Sequence, residues 1–267
     1  MSTPVNLTFG FAQHVVSGVG SYYTLAGEDG TQVAGGRPIQ PHTSYDISMD
    51  DHIAHGVLMV GGSFTDIDGF NPMVSQIITD EQYIASEPGF ALDYFYPVLP
   101  GTINRFLSIE GETRERLVVI PGQFAADGGS GETVGTQRLY DSLDFEVYHA
   151  PFAHEDFTAP SFWEVGSWRY GQELHFEVTV TDDVGDIERV IVLYRELPGT
   201  EWQLVELTYD PETAVAAGSV VVAGEVEYFA QAVDSGGNVA LALDHANVYH
   251  AGEAEPFVLY MPVMRKP

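Results

Sequence analysis

The sequence has no cysteine among its 267 residues, which excludes thiol nucleophiles, disulfides and thiolate metal sites. Lysine is nearly as scarce. Lys266 is the only one, and arginine supplies the rest of the 10 Lys and Arg that face 39 Asp and Glu, for a formal net charge of −29. So few scattered cations cannot build the basic stripe that a phosphate backbone requires, so nucleic acid is excluded as a partner. The same charge keeps the chain off anionic membrane surfaces. Long apolar runs are missing too: no stretch approaches the roughly 18 apolar residues of a membrane span. The first cation is Arg37, and Asn6, Thr8, Gln13, His14 and Ser17 interrupt the apolar residues before Leu25, so no secretory signal is visible. If the natural protein is exported, this chain is expected to be a mature fragment of a longer one.

What is present is a core. Hydrophobic residues make up 45% and aromatics 12%, with 15 Phe, 14 Tyr and 3 Trp, far more than an acidic disordered segment carries. Helical periodicity is almost absent, whereas alternation with period two is common. In Glu173–Thr181, Leu174, Phe176, Val178 and Val180 share one face and Glu173, His175, Glu177 and Thr179 the other, which predicts a half-buried antiparallel strand. Arg189–Arg195 reads as a more fully buried strand, Trp202–Tyr209 as another, and Val220–Val222, Val226–Val233, Val239–Leu243 and Val248–His250 as the remainder. Asp234-Ser235-Gly236-Gly237-Asn238 is a hairpin turn rich in residues that tolerate positive φ. Short strands with turns every 8–12 residues predict a β-sandwich.

The expected class is all-β, with two β-sandwich-like domains: an irregular β-rich domain over 1–150, an elaborated sandwich or jelly roll, and a second sandwich over 151–252. Pro151, His154, Glu155, Asp156 and Pro160 mark the boundary. In the first domain, Val57–Val60, Leu117–Ile120 and Asp144–Tyr148 are strand candidates, and Asp80–Ser86 is read as one short helical turn. Residues 253–267 read as a tail whose apolar part, 257–264, is an added edge strand, a segment that pairs with another chain or the remains of a sorting signal.

The stretch from Thr158 to Tyr249 resembles the immunoglobulin-like and fibronectin type III-like modules of secreted bacterial proteins. The residues that carry the resemblance are Val178-Thr179-Val180-Thr181-Asp182 with Gly185, Val190–Tyr194, Trp202, and Tyr228-Phe229-Ala230-Gln231-Ala232-Val233-Asp234 with Gly237-Asn238. It covers about a third of the chain and implies a fold more than a function. The whole chain, with its Leu259-Tyr260-Met261-Pro262-Val263 ending, also resembles the C-terminal part of large secreted proteins of filamentous green bacteria. That implies an accessory role beside a peptidase or another exported enzyme.

Several stretches mimic chemistry. Asp234-Ser235-Gly236-Gly237 is similar to the nucleophile segment of trypsin-like proteases, but Val233 stands where a glycine belongs, no base segment precedes it, and a hairpin turn explains it. Asp50-Asp51-His52-Ile53-Ala54-His55 is the densest set of nitrogen and oxygen ligands; on a strand His52 and His55 point to opposite faces, and the zinc-protease glutamate is replaced by Ile53. Of the other histidines, only His149 and His154 are placed by the chain order to meet His245 or His250. Calcium fits better than zinc, because it takes carboxylate and carbonyl oxygens from loops. Asp66 and Asp68 form one such group and Asp182, Asp183 and Asp186 a second, although turn chemistry alone accounts for both. Tyr22, Tyr94, Tyr96, Trp163 and Trp168 are candidates for stacking on sugar rings, with Tyr23 and Tyr170 beside them; burial in the core is the competing fate.

The reading is a non-catalytic extracellular or cell-surface structural or adhesion module. The alternatives are a carbohydrate- or calcium-dependent binding module and the accessory region of a secreted peptidase. No organic cofactor is implied, calcium is the candidate ion, and the expected partners are a polysaccharide or another domain of the parent chain, with self-association through 257–264 as a further route.

Overall fold

A computed structural model describes residues 1–75, 94–109, 111–128 and 134–252. The expected helical turn at Asp80–Ser86 and the apolar segment 257–264 lie outside the described residues. The described residues contain no helix, and their named strands all pair antiparallel. The chain is all-β and builds sandwich-like layers, as its alternation predicts.

The first stretch is organised by two long strands, β7 (His52–Phe70) and β11 (Gly135–Pro151), which pair along nearly their full lengths with four register shifts. Such bulges let long strands coil around a core. β1 (Ser2–Thr8) and β10 (Gly122–Ala126) flank β11. A smaller sheet of β6 (Thr43–Asp46), β9 (Thr113–Val119) and β8 (Gly101–Leu107) covers one face. Leu117 and Val119 of β9 pack there with Leu58, Phe145 and Val147, all fully buried or nearly so. A hairpin of β2 (Phe11–Val16) and β3 (Gly20–Leu25) and a short pair of β4 (Thr31–Gln32) and β5 (Gln40–Pro41) complete this part.

The second stretch is a sandwich. One sheet is β12 (Ser161–Tyr170), β13 (Glu173–Thr181) and β16 (Val215–Val221). The facing sheet runs β15 (Glu201–Asp210), β14 (Ile187–Glu196), β17 (Val226–Asp234) and β18 (Val239–Ala242), with β19 (Tyr249–Ala251) also on β17. The expected alternation of β13 is realised: Leu174, Phe176, Val178 and Val180 are fully buried against Val190, Val192, Ala230 and Ala232.

These two stretches share a core. Trp202 and Glu201 of β15 pair with Gly62 and Ser63 of β7, so one sheet runs through both. The outward residues of β14 and β17, Ile191, Leu193, Phe229 and Val233, pack into the same cluster as Leu58, Phe145 and Trp202. This is why Val190-Ile191-Val192-Leu193 is apolar without alternation: both faces of β14 are covered. Gly56 lies at the closest approach, since a Cβ there would sit 2.4 Å from Val239 Cγ2 and 2.8 Å from the Gly237 carbonyl oxygen. Beside it the buried Gln231 side chain accepts the Met59 N–H at 3.0 Å and donates to the Met59 carbonyl at 2.7 Å.

Candidate functional site

Three loops converge where the second sandwich meets β7. Asp156 lies in the connection from β11 to β12, Asp182 follows β13, and Asp234 ends β17. Each loop is shaped by its own aspartate, whose short carboxylate caps nearby amides. Asp182 Oδ1 accepts from the Val184 and Gly185 amides at 3.0 and 2.6 Å. Asp234 accepts from Asn238 N and Nδ2 at 2.8 and 2.9 Å, closing a turn in which Gly237 takes φ +83°. Asp156 Oδ1 accepts from Thr158 N at 3.0 Å. The loops are also tied to each other: Ser235 N donates to Asp186 O at 2.8 Å. A Cβ on Gly185 would lie 3.0 Å from Ser235 Oγ and 3.3 Å from Asp156 Oδ2, so this approach is close.

The result is a set of three carboxylate oxygens, one from each aspartate, all within 4.8 Å of one another. Asp234 is fully buried, Asp156 is 7% exposed and Asp182 is intermediate. Charges at this separation repel by about 3 kcal/mol per pair at an effective dielectric near 20. Among the described ion pairs, no arginine or histidine engages any of the three. Asp182 Oδ2 is itself fully buried and receives no hydrogen bond. A buried, unsatisfied acceptor in a concentrated negative field is a place for a hard cation. Calcium takes 6–8 oxygens from flexible loops, and magnesium demands a stricter octahedron.

His55 and His154 line the same junction, with ring centroids 5.5 Å apart, and His55 stacks on Phe157 at 4.7 Å. Burial and the neighbouring His154 push the His55 imidazole below its ordinary range, which favours the neutral ring. His52 instead sits 2.8 Å from the Asp50 carbonyl at the surface. His149 Nε2 bonds the Ile47 carbonyl, His245 faces Asp244, and His250 faces Glu227.

The sequence candidates for calcium fall in different places. Asp182 joins the cluster, while Asp183 and Asp186 are exposed. Asp66 and Asp68 lie on β7 and not in a loop: Asp66 receives Arg138 Nε and Nη2 at 2.9 Å each, and Asp68 accepts Thr136 Oγ1 at 3.0 Å. Asp156 and Asp234, which the structure brings to Asp182, are not among the sequence candidates, because the first reads as part of a linker and the second as a hairpin turn. Their signal was a shared habit, an aspartate followed within three residues by a turn residue, at Asp156-x-Thr158, Asp182-x-x-Gly185 and Asp234-x-x-Gly237.

The aromatic candidates also separate. Tyr22 stacks on His14 in the β2–β3 hairpin, at 4.9 Å. Tyr96 pairs with Phe124 and lies under Arg37, and Tyr94 is half-buried beside it. Trp163 and Trp168 are on β12, 73% and 49% exposed, with Tyr170 at 66%. Strand parity would put Trp163 and Trp168 on opposite faces, but a register shift between Phe162 and Glu164 inserts Trp163 as an extra residue. That bulge turns it outward with Glu164, Trp168 and Tyr170.

No family model matches the chain, and no curated protein matches it. Among solved structures it is similar to a complex of Porphyromonas gingivalis RgpB pro- and mature domains, at 20% identity over 57% of this chain and 80% of that one, with a TM-score of 0.41. It is also similar to a family 56 carbohydrate-binding module, a β-1,3-glucan binding domain, at 17% identity over 34% of this chain and 98% of that one, with a TM-score of 0.25. At these values neither likeness says what this chain does.

Proposed function

We propose that this chain is a non-catalytic extracellular or cell-surface module, structural and adhesive in role, whose junction is braced by a calcium ion held by Asp156, Asp182 and Asp234. The observation that carries this reading is the buried, hydrogen-bond-free Asp182 Oδ2 among three converging carboxylates. One ion there links the β11–β12 connection to two loops of the second sandwich and so fixes that sandwich against β7. In that sandwich three strands, β12-β13-β16, face β15-β14-β17-β18, an order that supports reading residues 151–252 as an immunoglobulin- or fibronectin type III-like sandwich. The acidic, lysine-poor composition suits a soluble surface-exposed protein, and extracellular modules bind calcium at about 10⁻⁴–10⁻³ M.

The test is the thermal midpoint in EDTA and in millimolar Ca²⁺ at fixed ionic strength, with Mg²⁺ as the control. At a tenfold excess over a Kd of about 10⁻⁴ M, the ion adds about 1.4 kcal/mol, a rise of roughly 3–6 °C for a chain of this size. Asp182→Asn and Asp234→Asn are expected to abolish the rise. A midpoint indifferent to Ca²⁺ in the unsubstituted protein overturns the calcium brace.

A further inference from the structure

We infer that the outer face of β12, β13 and β16 binds a neutral polysaccharide, with Trp163, Trp168 and Tyr170 as the stacking platform. This names a ligand for the adhesion role above and rests on the reading of the chain as a non-catalytic module, but not on the calcium brace.

The three rings are not needed by the core. The sandwich interior is closed by Leu174, Phe176, Val178 and Val180 with the facing sheet, and all three aromatics point the other way. Trp163 and Trp168 are held in place before any ligand arrives. Trp163 Nε1 donates to Thr181 Oγ1 at 2.8 Å on the neighbouring strand. The Trp168 indole lies parallel to the His175 ring, centroids 5.3 Å apart and planes within 7°. Rings already fixed lose little entropy on binding, so their stacking energy is retained in the affinity. They form a row along an edge strand. Trp168 and Tyr170 are two residues apart, about 6.6 Å, and Trp163 is roughly 13 Å from Trp168, because the bulge absorbs one residue of the rise. Between Trp163 and Trp168 on this face come the exposed Glu164, a carboxylate set to accept from a sugar hydroxyl, and Gly166, where an added Cβ would meet only the Glu177 carbonyl, at 3.9 Å. An extended chain of sugar rings matches a flat linear platform of this kind better than a compact ligand does.

Charge selects within that class. Glu164 and Glu177 are exposed on this face, and Glu173 is half-buried beside them. They are acceptors suited to sugar hydroxyls. The nearest arginine, Arg169, is turned away, with its guanidinium donating to the Val222 and Gly224 carbonyls. With acceptors and no free arginine donor on the face, an uncharged polyol is complementary and a uronate, sulfated glycan or nucleic acid is repelled.

The experiment is native affinity electrophoresis of the full chain in gels carrying hydroxyethylcellulose, a soluble β-1,3-glucan, amylopectin or galactomannan, with polygalacturonate as the anionic control. Tryptophan fluorescence is titrated in parallel. Trp202 is 5% exposed, so a ligand-dependent emission change reports on Trp163 and Trp168. Retention by at least one neutral polymer and none by polygalacturonate is expected. Trp168→Ala and Trp163→Ala should each weaken binding roughly tenfold or more, with unchanged thermal midpoints, and Tyr22→Ala should bind as the parent does. Failure of every neutral polymer to retain the protein, retention unaffected by both tryptophan substitutions, or retention by polygalacturonate overturns the inference. Each gel is run in Ca²⁺ and in EDTA and assayed for released reducing ends. Cleavage of a retained polymer would overturn the non-catalytic reading while leaving the platform standing, and loss of the thermal calcium response alone would leave both untouched.

Discussion

Asp66→Ala is expected to destabilise the protein by about 3 kcal/mol, the lower end of the range for removing one partner of a buried ion pair. The partner left behind is Arg138, whose side chain is 6% exposed against 30% for Asp66. Its guanidinium is clamped between the Phe64 and Phe95 rings, 3.8 and 4.0 Å from their centroids, and meets the Asp66 carboxylate through two parallel hydrogen bonds at 2.9 Å. Ring faces attract a cation but accept little of its hydrogen bonding, so truncation leaves the buried guanidinium without its hydrogen-bonding carboxylate, with the Glu227 carboxylate as the anion that still acts on it. The partial hydration of Asp66 keeps the cost from the top of the range. Urea unfolding is the measurement, and the double variant Asp66→Leu with Arg138→Met is expected to recover most of the loss, because a buried pair replaced by apolar side chains is often neutral. A single-variant loss below about 1 kcal/mol would mean that water reaches Arg138 and that the clamp is not a buried charge site.

Gln231→Ala is expected to cost as much or more, about 4 kcal/mol. The side chain satisfies both the N–H and the carbonyl of Met59, a residue 172 positions away, and each buried backbone group left unpaired costs about 1–3 kcal/mol. Gln231→Glu is expected to do no better, since a carboxylate can take the Met59 N–H but meets the Met59 carbonyl with a second acceptor. Native-state hydrogen exchange gives a local readout: the Met59 amide should lose protection in the alanine variant well beyond the global change. Protection that falls only in step with global stability would remove Gln231 as the stitch between β7 and β17.

Both predictions concern the seam between the two stretches of chain, and the seam was the least legible part of the sequence. β7 was visible only at Val57–Val60, because Gly61, Gly62, Ser63, Thr65, Asp66 and Asp68 break the apolar pattern over its second half. Asp66 and Asp68 therefore read as an oxygen-rich loop. Their neighbours Arg138 and Thr136 come from β11, about 70 residues on, and nothing local in the sequence announces that pairing. β12 likewise carries no strand signature in the sequence, since its exposed Trp163, Glu164, Trp168 and Tyr170 leave no clean alternation around the bulge.

Local pattern did determine the all-β class, the register of hydrophobic faces in β13, the doubly covered run of β14 and the hairpin closed by Asp234 and Asn238. These depend on side-chain alternation and turn chemistry within a few residues, which the order of residues encodes directly. The sequence also names Asp182 as a candidate calcium ligand and Trp163 and Trp168 as candidates for stacking on sugars, with core burial as the competing fate; on β12 both rings are exposed. Only the tertiary structure brought Asp156 and Asp234 to Asp182, turned Trp163 to the face of Trp168, and left Arg138 with Asp66 for a partner. Each of these is a meeting of residues on different strands or loops, or the work of one inserted residue. They follow from long-range register and from how sheets close over a shared core, which composition and spacing do not carry.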